Sequence, residues 1–165
     1  MEERYFITPP GGIKIKWGVP TDLQELYRQM KLWLEDKGFA KETSLEKKYD
    51  ERIKPGGKEI FIRWEAGKDA SDYFSYKIII EFLLVAIKEI EVQEGSIKRK
   101  LSTGTLEVDI ISYIEYGKKW GGLGPLSRIY YKIIAKQRLK DYADDLYDKI
   151  YKFQNFIKDF IGLTA

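Results

Sequence analysis

The sequence predicts an α+β fold: a curved antiparallel sheet of about six strands, one helix in the N-terminal half and a long C-terminal helix packed on the sheet. Three observations carry this. From Phe74 to Val92 every second residue is apolar except Lys88, which is the period of a strand. From Pro125 to Ile161 the apolar residues follow helical spacing. Between Lys41 and Glu65 two alternating segments flank Lys54-Pro55-Gly56-Gly57, a hairpin signal.

In chain order, Arg4 to Thr8 reads as a short strand, and Pro9-Pro10-Gly11-Gly12 turns the chain. Ile13 to Trp17 alternates apolar and basic residues, so it is a strand with one buried face. Thr21 and Gln24 have capping-box spacing and open a helix. Leu23, Leu26, Tyr27, Met30 and Leu34 then form one apolar stripe, and Gly38 is placed to end it. Lys41 to Ile53 is charged and weakly alternating, as suits an edge strand. Lys58 to Glu65 returns with Ile60, Ile62 and Trp64 on one face, and Ala66 to Asp72 is a loop.

A single straight strand from Phe74 to Val92 would run roughly 60 Å. A domain of this size is only about 40 Å across. The segment must therefore bend or bulge, and the apolar residues on both faces place the bend between Leu83 and Lys88. Glu94-Gly95 and Ser102-Thr103-Gly104 read as turns around Ile97 to Leu101. Thr105 to Tyr116 is the last strand, followed by a glycine-rich loop over Gly117 to Gly124. Pro125 suits the first turn of a helix. Unbroken to Ile161, that helix would be about 54 Å long. A kink is expected between Gln137 and Asp141, where basic residues give way to Asp141, Asp144, Asp145 and Asp148.

The chain is one domain, 1–165, long enough to bury a core without staples. A third of its residues are charged, Asn155 is its only asparagine, and it has no cysteine or histidine. That composition resembles hyperthermophile proteins. The lack of cysteine fits a reducing compartment, the acidic start Met1-Glu2-Glu3-Arg4 does not read as a secretory signal, and the expected location is cytoplasmic. The net charge of +3 is small for a dedicated nucleic-acid binder.

Without histidine or cysteine, the commonest general base, metal ligand and thiolate nucleophile are absent. No metal site, cofactor or catalytic residue is assigned, and a non-enzymatic role is the working expectation. Glu81 lies inside the most apolar segment. It either pairs across a solvated strand face or, if buried, needs a proton or a cationic partner. Lys88 breaks the apolar alternation at the expected bend, and Trp120 lies in the glycine-rich loop, where it plugs the sheet or covers a ligand mouth. Arg128, Lys132, Lys136 and Lys140, four residues apart, make a basic stripe suited to anionic surfaces.

The element order of strand, helix, antiparallel strands and long terminal helix resembles the helix-grip fold of the START and polyketide-cyclase-like superfamily. That resemblance implies a cavity between sheet and C-terminal helix that holds a small apolar ligand, lipid-like or aromatic. Trp64, Glu81, Lys88 and Trp120 are its candidate contacts. Two other partner classes follow from the residues themselves. Aromatic residues on more than one side of the terminal helix, including Tyr130, Tyr131, Tyr147, Tyr151, Phe153 and Phe156, suggest a protein partner or a homodimer. The basic stripe suggests a membrane surface or nucleic acid.

Overall fold

The structure, a computed structural model, describes residues 3–39, 45–116 and 124–162. Its elements are β1 (Glu3–Phe6), β2 (Ile13–Trp17), α1 (Leu23–Asp36), β3 (Glu46–Lys54), β4 (Gly57–Asp69), β5 (Phe74–Glu94), β6 (Ile97–Tyr116) and α2 (Pro125–Phe160). The strands form one antiparallel, curved sheet in the order β1-β6-β5-β4-β3, and β2 also pairs with β6. The α+β class, the long terminal helix and the hairpin at Pro55-Gly56 are as the sequence predicts.

The register explains the bend. β5 and β6 pair continuously except between Val85 and Lys88, where the ladder shifts. Ala86 there has φ of 55°, an unusual conformation for a residue with a side chain. Such a bulge bends and twists its strand. Each neighbouring strand supplies a glycine against it. A Cβ on Gly57 would lie 2.8 Å from the Ala86 carbonyl carbon, and one on Gly104 would lie 2.7 Å from the carbonyl oxygens of Val85 and Ala86.

Gly104 corrects the sequence reading. Ser102-Thr103-Gly104 is not a turn, because β6 runs through it for 20 residues. The glycine is there for close backbone approach to the bulge, a second use that glycine has in strands. Beyond the bulge, Lys88–Glu94 and Ile97–Thr103 pair with each other as a two-stranded ribbon, tied to the body by a bridge from Thr21 to Ser102. That bridge also moves the helix cap. Asp22, not Thr21, caps α1 by accepting from the Glu25 backbone N–H at 3.1 Å. Thr21 is buried and accepts the Trp17 indole N–H at 2.9 Å.

Both helices cover one face of the sheet. That face carries Ile62, Trp64 and Ala66 of β4, alternate residues Phe74 to Leu84 of β5, and Leu106, Val108, Ile110 and Ile114 of β6, all buried. α1 sets Leu26, Met30 and Leu34 into this core, and α2 sets Ala135, Leu146, Ile150, Phe153 and Ile157. Trp33 and Phe153 join the two helices, with ring centroids 4.7 Å apart. The Tyr76 hydroxyl reaches from β5 to Asp145 of α2 at 2.9 Å. Tyr76 is held above its ordinary pKa by burial and then by Asp145. Burial alone would raise Asp145, but hydrogen bonds from Lys149 and Tyr76 outweigh it and hold that carboxyl low.

The expected break near Gln137 to Asp141 does not occur. α2 is helical without interruption over 36 residues, about 54 Å. Compactness does not force a break, because only part of the helix packs. Its first buried residue is Ala135, so the preceding ten residues lie outside the core. The change from basic to acidic residues happens within one continuous helix.

Candidate functional site

The residues expected to line a sheet–helix cavity are dispersed. Trp64 is fully buried in the core, in edge contact with Tyr27 and with Phe82, each ring centroid 4.8 Å away. Its indole N–H lies near enough to the Tyr27 hydroxyl to favour the ionised phenol, yet makes no hydrogen bond. Burial, and then the hydrogen bond to Glu46, prevail, and Tyr27 is raised to about 12. Glu81 lies on the opposite sheet face, away from α2, and pairs with Arg63 at 2.6 Å. It therefore cannot orient a ligand between sheet and helix; strand alternation puts Ile80 and Phe82 inward instead. Lys88 is exposed at the base of the ribbon. Trp120 lies outside the described residues.

The outer sheet face holds a row of alternating pairs. Arg63, Glu81, Asp109 and Lys14 stand side by side across β4, β5, β6 and β2. Asp109 has one buried carboxylate oxygen without a partner and Lys14 at 3.9 Å. Burial, with Glu107 and Glu81 nearby, holds its carboxyl above the ordinary range, against Lys14. Next to this row opens a cleft of about 520 Å³, whose lining includes Arg4, Arg63, Glu65, Lys77, Tyr113 and Glu115. Its charges largely neutralise one another: Arg4 pairs with Glu115, and Arg63 with Glu65 and Glu81. Among the described residues no cluster of metal-ligating side chains occurs.

A smaller opening of about 190 Å³ lies where α2 meets the β4–β5 connection, lined by Tyr73, Phe74, Tyr131, Ile134 and Ala135 among others. Tyr131 packs on Tyr73 there, centroids 5.1 Å apart.

The unabsorbed feature of the molecule is the outward side of α2. Leu126 is 85% exposed, Ile129 60%, Tyr130 63% and Ile133 57%. These residues recur at three- and four-residue steps and so share one helix face. Further along the same face Tyr147 and Tyr151 are exposed, with centroids 4.4 Å apart. Leu126, Tyr130, Ile133, Gln137, Lys140, Asp144, Tyr147 and Tyr151 follow a strict four–three alternation, and every one is exposed. That is the 3.5-residue period of a coiled-coil seam. It lies opposite the core-facing residues Leu146, Ile150, Phe153 and Ile157. Tyr130, Tyr147 and Tyr151 were marked by the sequence. Leu126, Ile129 and Ile133 were not, since only the structure shows which apolar stripe the sheet leaves uncovered.

The basic residues Arg128, Lys132, Lys136 and Lys140 are all exposed. Each step of four advances about 40° around the helix, so the first and last point about 120° apart. They wind around α2 rather than forming one flat patch. Among the described residues no helix is long and apolar enough to cross a membrane.

Comparison of the chain with family models, with curated proteins and with solved structures finds no match.

Proposed function

We propose that this chain is a protein-interaction module whose docking surface is the outward seam of α2. One observation carries the reading: four large apolar side chains, Leu126, Ile129, Tyr130 and Ile133, stand more than half exposed on one face of a helix that outruns its own core. Exposed apolar patches of this kind mark interaction surfaces on folded proteins. An amphipathic helix with its apolar face free presents anchors at the spacing partners recognise.

The alternative, a small apolar ligand between sheet and helix, draws its support from the opening beside Tyr131. At about 190 Å³ that opening is smaller than the roughly 300–1,000 Å³ usual for drug-sized ligands. The side chains of the intervening layer, Trp64, Ile78 and Ile80 among them, are fully buried against their neighbours. The docking reading therefore stands first.

Photo-crosslinking tests it. Benzoylphenylalanine replaces Tyr130 conservatively, and the same group at Ile53, an exposed residue of β3, is the control. In extract of the source organism, position 130 is expected to give one discrete adduct, and position 53 none. No adduct at 130, or the same adducts at both positions, would overturn the reading.

A further inference from the structure

The cleft on the outer sheet face holds a charge that its ion pairs do not account for. Its volume of about 520 Å³ lies within the roughly 300–1,000 Å³ usual for small-molecule sites. Arg4 pairs there with Glu115, and Arg63 with Glu65 and Glu81. Lys77 of β5 is half-buried and makes no ion pair among the described residues. A partly desolvated ammonium without a counter-charge is costly, and buried charges are ordinarily paired. Lys47 also borders the cleft without an acidic partner among the described residues, but it is exposed on the edge strand β3, where water solvates it.

The sheet register holds Lys77 in place. Its neighbours across the strands are Gly67 of β4 and Tyr113 of β6. Because Gly67 has no side chain, the lysine lies across it: a Cβ there would stand 3.4 Å from Lys77 Cδ and 3.5 Å from Nζ. On the other side Tyr113 is buried, with the Arg4 guanidinium 4.9 Å from its ring centroid. Among the described residues neither the Tyr113 hydroxyl nor the Arg4 guanidinium makes a hydrogen bond, since Arg4 approaches Glu115 only to 3.7 Å. Burial holds the Tyr113 phenol above its ordinary pKa, so it remains a donor at neutral pH. Donors from β1, β5 and β6 thus border one cleft and lack an acceptor.

We infer that this cleft binds a small organic carboxylate through Lys77, Arg4 and Tyr113, independently of the docking surface on α2. The missing counter-charge beside Lys77 is single and negative. The Arg63 end already sets two carboxylates against one guanidinium, which disfavours a dianion such as a phosphate monoester. The Arg4 fork matches a carboxylate, to which it can donate two parallel hydrogen bonds. The volume exceeds what a bare ion fills, and Ile79 and the Tyr113 ring offer apolar surface to an organic body.

Backbone amide shifts of the full chain, followed by NMR during titration with benzoate, phenylacetate and hexanoate, test this. Benzylammonium and phenyl phosphate are the comparisons. At least one carboxylate is expected to give saturable shifts centred on Gly67, Lys77 and Tyr113. Lys77→Met keeps the stem and removes the charge, and it is expected to weaken that binding about tenfold or more. Tyr113→Phe removes only the hydroxyl and is expected to weaken it about threefold. Lys31→Met, at an exposed position of α1, is expected to leave it unchanged. Denaturation midpoints show whether each variant is folded, and Tyr113→Phe carries the test if Lys77→Met is not. No saturable shift with any of the carboxylates, or binding undiminished in the folded variants, would overturn the site. Equal shifts of the same amides by benzylammonium would overturn recognition of the negative charge, and tighter binding of phenyl phosphate than of benzoate would overturn the choice of a monoanion.

Discussion

Gly104 of β6 places its missing Cβ 2.7 Å from the carbonyl oxygen of Ala86, the residue of β5 that bulges with φ of 55°. Gly57 of β4 does the same from the other side. The bend that folds the longest strand into the domain is therefore held by two flanking strands, each lacking a side chain at the point of contact.

Gly104→Ala is expected to cost about 2–4 kcal/mol, combining the clash with strain at φ of 130°. Gly56→Ala, where nothing lies within 4 Å, is expected to change stability by less than about 0.5 kcal/mol. Urea denaturation midpoints of the two variants check this.

Trp64→Ala is expected to destabilise by about 3–5 kcal/mol, the range for removing a fully buried aromatic side chain. A ligand-facing Trp with one free side would cost much less. Equilibrium denaturation separates the two.

Asp109→Asn is expected to stabilise the chain at neutral pH by up to about 1 kcal/mol. Its folded-state carboxyl is raised, chiefly by burial, so the ionised form is the disfavoured one. The penalty is present at high pH and is relieved as pH falls through the raised value. The gain from asparagine should therefore fade toward the ordinary carboxylate value of about 3.9. Thermal unfolding as a function of pH measures it, and a variant less stable than the native chain at pH 7 would contradict the assignment.

Tyr76→Phe is expected to cost about 1 kcal/mol at neutral pH, discounted because the Asp145 side chain is 48% exposed. Asp145 is held low, so the stability it contributes is present above its unfolded value and lost as pH falls through its folded one. The difference between native and variant should shrink in acid, as it does for Asp109→Asn, but here the substitution is a loss at neutral pH and there a gain.

How much of this was legible in the residues depended on whether a pattern had one physical cause or two. Alternation from Phe74 onward had one cause, and it gave the strand, its buried face and the bend before Lys88. Gly104 had two, since a turn and a close backbone approach both exclude a side chain. Thr21 and Asp22 are both good helix caps, and the bridge from Thr21 to Ser102 decided between them. In α2, periodicity showed a helix but not which of its apolar stripes the sheet would cover. That depended on where the helix crosses the core, which is set by contacts such as Trp33 with Phe153 and Tyr76 with Asp145.

The most direct measurement follows Ile133→Glu in the full-length chain, reading folding and docking in the same sample. Ile133 is 57% exposed and makes no part of the core, so the denaturation midpoint should stay within about 0.5 kcal/mol of native. The adduct formed by benzoylphenylalanine at position 130 should fall about tenfold or more, as expected when a charge enters a docking surface. A lowered midpoint with the adduct unchanged would show that the outward seam of α2 serves the fold and not a partner.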